Sequence, residues 1–163
     1  MNIKTKNFLI YFSIFIIIFL IDRVSKIYII NLSNTSSVLD IQVNDYLNIF
    51  LIWNTGIGFG LFSSGNSMFY NIITFLILII NLIIIYLIYT SNNIKRLIFI
   101  VILGGSSGNL FDRVYYSAVP DFIDLNYNGY HWFIFNFADI FISIGIFCLI
   151  FMEILNYKNK VSI

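Results

Sequence analysis

The chain has 163 residues, of which 60% are hydrophobic and only 10% are charged. Soluble domains carry about 25% charged residues, so this composition argues against a water-soluble globule and favours the lipid bilayer as the solvent. The net charge of +1 argues against a nucleic-acid partner, because a protein that binds phosphates needs a basic surface. The single cysteine, Cys148, excludes a disulfide framework within one chain.

The N-terminus carries two lysines followed by an apolar run over residues 8–21, which is typical of a secretory signal. No small-residue cleavage site follows the run, so we interpret it as a retained first helix. A helix that spans a bilayer needs about 20 mostly apolar residues. Four segments meet this requirement and predict one integral membrane domain with helices at about residues 8–30, 68–89, 97–115 and 132–152.

The basic residues predict how these helices are oriented. Six of the nine Lys and Arg residues lie beside spans on one side: Lys4, Lys6, Lys95, Arg96, Lys158 and Lys160. The outer loops predicted at about residues 31–67 and 116–131 contain neither Lys nor Arg. By the positive-inside rule, both termini are cytoplasmic and these two loops face outward.

The first outer loop is patterned rather than featureless. Residues 38–45 partly alternate between apolar and polar, and residues 46–53 are rich in aromatic and β-branched side chains. This pattern predicts short strands at the membrane surface. The glycines between positions 56 and 60 then interrupt regular structure.

The remaining charges cluster at the outward ends of the first, third and fourth helices. A charge within a span costs about 2.5–3.5 kcal/mol even on a gentle insertion scale. Charged side chains at one common depth therefore predict a shared site at the outer interface. The residues concerned are Asp22, Arg23, Lys26, Asp112, Arg113, Asp121 and Asp139; Asp124 is expected to be peripheral, and Asp40 and Asp45 to be solvated.

Two of these charged residues are spaced so that their side chains can pair along one helix. Asp22 and Lys26 stand at i and i+4 and share one face. We expect Asp22–Lys26 to be a structural charge pair. A structural Asp112–Arg113 pair is the alternative for Arg113, which we expect rather to touch substrate, because its five donors can hold a carbonyl or another acid. A G-x-x-x-G motif at residues 104–108 allows another helix to approach closely.

Asp139 and Asp121 lack a basic neighbour on their own segments. Asp139 lies well inside an apolar span, and Asp121 follows Pro120, with Phe122 and Ile123 expected to dip back toward lipid. Two close carboxylates cannot easily both ionise, so one retains a proton. Such a pair can take a proton from water and give one to a leaving amine, which is peptide hydrolysis without a metal. Spacing alone leaves the proton-relay acids of a membrane carrier equally open.

Five segments together resemble the lipoprotein signal peptidase family, the type II signal peptidases. The order and placement of these segments at outward helix ends carry the resemblance, which covers residues 22–140. The segments are DRVSK at 22–26, NTGIGFG at 54–60, GGSSGNLFDR at 104–113, VPDFI at 119–123 and FNFAD at 135–139. The resemblance implies an all-α polytopic membrane protein of four transmembrane helices with a small extracytoplasmic β-cradle, in which Asp121 and Asp139 form the catalytic pair.

The resemblance also implies which residues surround that pair. The positions expected to orient the scissile peptide and the two aspartates are Asn54, Gly56, Asn109, Arg113 and Asn136. Asp22 and Lys26 match positions that support the architecture. Members often carry alanines where this chain has Ile57 and Gly58, and Pro120 is also atypical, so the shape of the substrate groove is expected to differ.

The substrate implied by the resemblance is a bacterial prolipoprotein whose cysteine already carries diacylglycerol, cleaved just before that cysteine. No cofactor and no metal are expected. The implied location is the bacterial cytoplasmic (inner) membrane, in contact with lipid, with the active site near the outer leaflet. We expect a monomer.

Three rival interpretations involve other chemistry. A serine–lysine peptidase would have to join Lys26 to Ser106 or Ser107, since Ser25 points away from its neighbour. A zinc peptidase needs three or four ligands, and His131 is the only histidine; we interpret it as an interfacial residue. A proton-coupled carrier would be unusual with four spans and no inverted repeat.

Overall fold

The computed structural model describes residues 3–35, 39–56, 67–127 and 130–161. These residues include four long helices, each apolar and long enough to cross a membrane. The helices are α1 (Ile3–Thr35), α2 (Ser67–Thr90), α3 (Asn93–Tyr116) and α4 (Phe137–Val161). The predicted four-helix membrane fold is confirmed.

Lipid explains why these segments are helical despite many β-branched isoleucines. Hydrocarbon offers no partner to the backbone, so each span must make its hydrogen bonds internally. Large apolar side chains such as Phe75 on α2 and Phe147 on α4 are more than half exposed, as expected of surfaces that face lipid. Local signals set the ends: Asn92 caps α3 by accepting from the backbone N–H of Lys95 at 3.2 Å, and α3 stops where Ser117 turns left-handed at φ 56°.

Helix α3 is the centre of the bundle, because it contacts α1, α2 and α4. Its small residues permit this close packing. A Cβ added at Gly104 would lie 2.8 Å from the side chain of Ile18, and one at Gly105 would lie 2.6 Å from the carbonyl oxygen of Ala138. The predicted role of the G-x-x-x-G motif in close helix contact is confirmed.

A four-stranded antiparallel sheet, in the order β1-β2-β3-β4, lies at one end of the bundle. The strands are β1 (Asp40–Asn44), β2 (Leu47–Asn54), β3 (Val119–Tyr127) and β4 (Tyr130–Phe135). The first two strands confirm the prediction for residues 40–54. The predicted break at 56–60 lies largely outside the described residues, as do Ile57 and Gly58.

Two expectations from sequence were wrong here. The fourth helix was expected from about residue 132, but residues 130–135 pair with β3 as a strand, and α4 begins at Phe137. Phe122 was expected to dip toward lipid, but it is 3% exposed and packs in a small core with Ile29 and Leu39. Alternation in β3 places Phe122 opposite Asp121, on the face that covers the end of α1.

Candidate active site

Asp121 lies near the start of β3, at the end of the sheet closest to the helices. Its carboxylate accepts two side-chain hydrogen bonds, from Nδ2 of Asn54 at 2.9 Å and from Nδ2 of Asn136 at 2.6 Å. Asn54 is brought there by the pairing of β2 with β3, in which Asn54 stands opposite Val119. Each oxygen of the buried Asp121 carboxylate therefore has one amide donor.

Asp139 lies in the first turn of α4. The backbone N–H of Asn136 donates to its Oδ2 at 3.1 Å, and the backbone N–H of Asp139 donates to Oδ1 of Asn136 at 3.2 Å. This reciprocal pair is a capping box with aspartate at the third helical position. Asn136 falls inside the helix predicted over about residues 132–152, but it precedes α4 as its N-terminal cap. The second oxygen of Asp139 accepts from Nδ2 of Asn109 at 2.8 Å.

Three asparagines thus present their amide N–H groups to the two carboxylates, and their orientations are fixed. In each of them the side-chain oxygen faces a group that can only donate, so the NH₂ must turn toward a carboxylate. These donors are the backbone N–H of Gly56 to Asn54 at 2.8 Å, Nζ of Lys26 to Asn109 at 2.7 Å, and the backbone N–H of Asp139 to Asn136 at 3.2 Å. These asparagines therefore hold two carboxylates that come from separate segments of the chain.

Both carboxylates line a single cavity of about 160 Å³. Asn54, Asn109 and Arg113 also line it, together with apolar side chains of β4 and α4. One water occupies about 30 Å³ in the liquid, so the cavity has room for a reacting water and part of a substrate.

Burial, and to a smaller extent the negative charge of Asp139, raise the pKa of Asp121 to about 6. The amide donors of Asn54 and Asn136, and the positive charge of Lys26, lower the pKa and oppose these effects. Asp121 therefore keeps its proton at a pH where an ordinary aspartate has lost it.

Arg113 also lines the cavity, and it does not pair with Asp112. Its Nη2 donates to the carbonyl oxygen of Gly56, and its guanidinium lies 5.4 Å from the ring centre of Tyr70. Nε and Nη1 are buried and have no hydrogen-bond partner among the described residues. The alternative Asp112–Arg113 pair does not form, because Asp112 instead binds basic residues of α1.

Those basic residues complete a buried cluster of four charges between α1 and α3. Nζ of Lys26 lies 2.9 Å from Asp22 and 2.7 Å from Asp112, which confirms the predicted Asp22–Lys26 pair. Arg23 binds Asp22 at 2.7 Å and also contacts both oxygens of Asp112. Two positive and two negative charges neutralise one another, which buried ions require. Asp22 also accepts from the backbone N–H of Ala138 at 3.1 Å, so the cluster holds the start of α4.

Asp124 was expected to be peripheral, and this was wrong. Its side chain is fully buried, and its Oδ2 lies 2.6 Å from Nδ1 of His131 on β4. The contact joins two neighbouring strands, and the His131 side chain is 55% exposed. Within the described ranges, no three His, Cys, Asp or Glu side chains are grouped so that they could hold a metal ion.

Comparison with known proteins agrees with this geometry. Residues 14–155 match a family model described as signal peptidase (SPase) II. The chain belongs to the signal peptidase II family. This peptidase is 49% identical to the lipoprotein signal peptidase of Pelagibacter ubique over 98% of its own length and 95% of the relative. It is 40% identical to that of Wigglesworthia glossinidia brevipalpis over 91% and 94% of the two chains.

A solved structure described as a bacterial membrane enzyme matches the peptidase with a TM-score of 0.76 and 31% identity. The match covers 92% of this chain and 90% of that one. The resemblance inferred from the five segments is therefore confirmed, and so is the fold it implied. The molecule is a peptidase with four membrane-spanning helices.

Proposed function

We propose that this peptidase removes signal peptides from prolipoproteins, with Asp121 and Asp139 as its catalytic dyad. The observation that carries the proposal is the meeting of these two carboxylates at one cavity, each of their four oxygens held by a single N–H donor. Fixed donors leave the carboxylates no freedom to turn away from a substrate, which is the preorganisation that catalysis needs.

The dyad works by general acid–base catalysis. Asp121 is the acid and, with a pKa of about 6, it carries a proton below that pH. The carboxylate of Asp139 takes a proton from the cavity water as the water oxygen attacks the scissile carbonyl carbon. The C–N bond breaks as Asp121 gives its proton to the leaving amine. Asp139 then carries a proton and Asp121 is ionised, and proton exchange through the next water restores the starting state.

Arg113 is suited to hold the scissile peptide. Its Nη2 is anchored on the carbonyl oxygen of Gly56, while Nε and Nη1 have no partner among the described residues and the side chain lines the cavity. A substrate carbonyl would satisfy these buried donors, which are costly to leave unpaired. Asn54, Asn109 and Asn136 hold the dyad itself.

The substrate is a precursor whose cysteine carries diacylglycerol, cleaved just before that cysteine. Both the lipid and the apolar signal helix partition into the bilayer, so the bond is delivered to a site at the end of the spanning helices. The orientation from the positive-inside rule places this site at the outer leaflet of the bacterial cytoplasmic membrane, with both termini cytoplasmic.

The test uses purified full-length protein in detergent with a diacylglyceryl-modified precursor. We expect a mass loss equal to the leader peptide that chelators do not affect. D121N and D139N should each lower kcat by about 100- to 10,000-fold, the usual contribution of a positioned acid or base. D45N, which changes an exposed aspartate in the β1–β2 turn, should have no effect.

Two results would contradict the proposal: turnover retained in both dyad variants, or inhibition by EDTA. The same variants separate a peptidase from a proton-coupled carrier. A carrier would lose proton or solute flux in D139N while precursor cleavage, measured in the same membranes, stayed unchanged.

A further inference from the structure

Lys26 has a position that charge balance alone does not explain. Its side chain is fully buried, and its Nζ lies 2.9 Å from Asp22, 2.7 Å from Asp112 and 2.7 Å from Oδ1 of Asn109. An ammonium group has three N–H donors and no acceptor, so these contacts use all its hydrogen bonds. Two of them neutralise charge, while the third is made to a neutral amide of the active site.

That third contact determines which way Asn109 points. Because Lys26 can only donate, Asn109 must offer its oxygen to it, and its Nδ2 then faces Oδ1 of Asp139 at 2.8 Å. A reversed amide would set N–H groups against the ammonium and oxygen against the carboxylate. Both contacts would then be repulsive.

We propose that Lys26 is a positioning residue of the dyad that acts through Asn109. It holds the amide whose N–H keeps the Asp139 carboxylate aimed at the cavity. This inference rests on the proposed dyad, and it assigns to Lys26 a part in catalysis beyond support of the architecture.

Arg23 provides a matched comparison within the same charge cluster. It is buried to a similar degree and binds the same two acids, Asp22 and Asp112. Among the described contacts it makes none to Asn109. Removing either basic residue together with Asp112 therefore leaves one positive and one negative charge in the cluster. Only the removal of Lys26 releases the side-chain amide of Asn109.

The experiment compares K26M/D112N with R23M/D112N in the purified full-length protein. We expect similar thermal unfolding for the two variants, because each keeps the cluster neutral. The kcat of K26M/D112N should be about 10- to 100-fold below that of R23M/D112N, the fold-change expected for loss of one hydrogen bond to a carboxylate. KM for the lipidated precursor should stay within about twofold.

Equal kcat values in the two variants at equal stability would show that Lys26 only balances charge, and the proposal would be wrong. D139N, assayed in parallel, keeps this result apart from the proposed function. An active D139N would overturn the dyad itself, whereas an inactive D139N beside two equally active double variants would overturn only the role of Lys26.

A second variant covers the case in which K26M/D112N does not fold. K26R keeps the positive charge between Asp22 and Asp112, but a longer planar guanidinium cannot place one donor where three oxygens converge. Positioning predicts a folded protein with kcat at least about 10-fold lower. Wild-type kcat in K26R would overturn the proposal.

Discussion

Asp121 accepts two amide hydrogen bonds, yet its surroundings favour the protonated carboxyl. Removal from water and the nearby charge of Asp139 both disfavour the ionised form, and together they outweigh the donors of Asn54 and Asn136. The side chain is therefore protonated below a pH of about 6 and ionised above it. As the acid of the proposed dyad, Asp121 can give its proton to the leaving amine only on the low-pH side of that value.

The first prediction is a pH profile. In the free enzyme kcat/KM should fall as the pH rises through about 6, the pKa of Asp121. N54L removes a donor that lowers this pKa, so the falling limb should move to higher pH. Q42L, on the exposed strand β1, should leave it in place. A limb that stayed fixed or moved to lower pH in N54L would assign the titration to another group.

Some contacts of single residues could be predicted, and others could not. The Asp22–Lys26 pair follows from helical spacing, because both partners lie on one helix. The partner of Asp112 could not be derived this way, because Arg23 and Lys26 reach it from another helix and only their common depth in the membrane signals the contact. The Asp124–His131 contact depends on the register of two strands, which no local pattern specifies.

At the scale of elements, length and apolar composition were sufficient to predict the four helices. They failed at the start of α4, because the apolar run Trp132–Phe135 of β4 continues into α4 and composition does not separate a short apolar strand from a helix. The decisive signal is Asn136, a strong N-cap followed three residues later by Asp139. The proposed catalytic carboxylate of Asp139 and the start of α4 are thus specified by the same four residues, 136–139.

The close contact between α1 and α3 requires a residue without a Cβ at Gly108. A Cβ there would lie 2.3 Å from Oδ2 of Asp22. Asp22 cannot yield, because it is held by Arg23, Lys26 and the start of α4. The second prediction is that G108A destabilises the protein by about 2–4 kcal/mol, as overpacking and strain on a buried ion pair require.

Unfolding of G108A in detergent micelles, followed by circular dichroism, measures this effect. S107A is the matched control, because it lies on the same helix and adds no atom, so it should change stability by less than about 0.5 kcal/mol. If G108A were as stable as S107A, the Asp22 side chain would have a freedom of movement that its three hydrogen-bond partners do not allow.

At the scale of the whole molecule, the site lies where the sheet meets the helix bundle. Asp121 comes from β3, Asp139 from the start of α4, and Asn109 from α3. At the opposite end of the bundle, Lys95 pairs with Glu153 at 3.2 Å in an exposed contact. The charge asymmetry that predicts orientation also predicts that the end with the proposed catalytic site faces outward.

The last prediction tests that orientation in living cells. In a C148S background, D45C marks the β1–β2 turn and S91C marks the short turn between α2 and α3. The positive-inside rule places the turn beside Lys95 and Arg96 in the cytoplasm, so a membrane-impermeant maleimide should label D45C in intact spheroplasts and S91C only after permeabilisation. C148S alone should stay unlabelled, and precursor cleavage should persist in every variant, because none of these residues lines the cavity. Labelling of S91C before permeabilisation, with D45C protected, would invert the topology and move the dyad to the cytoplasmic leaflet. A lipidated precursor that displays its cysteine on the outer face could not then reach the dyad.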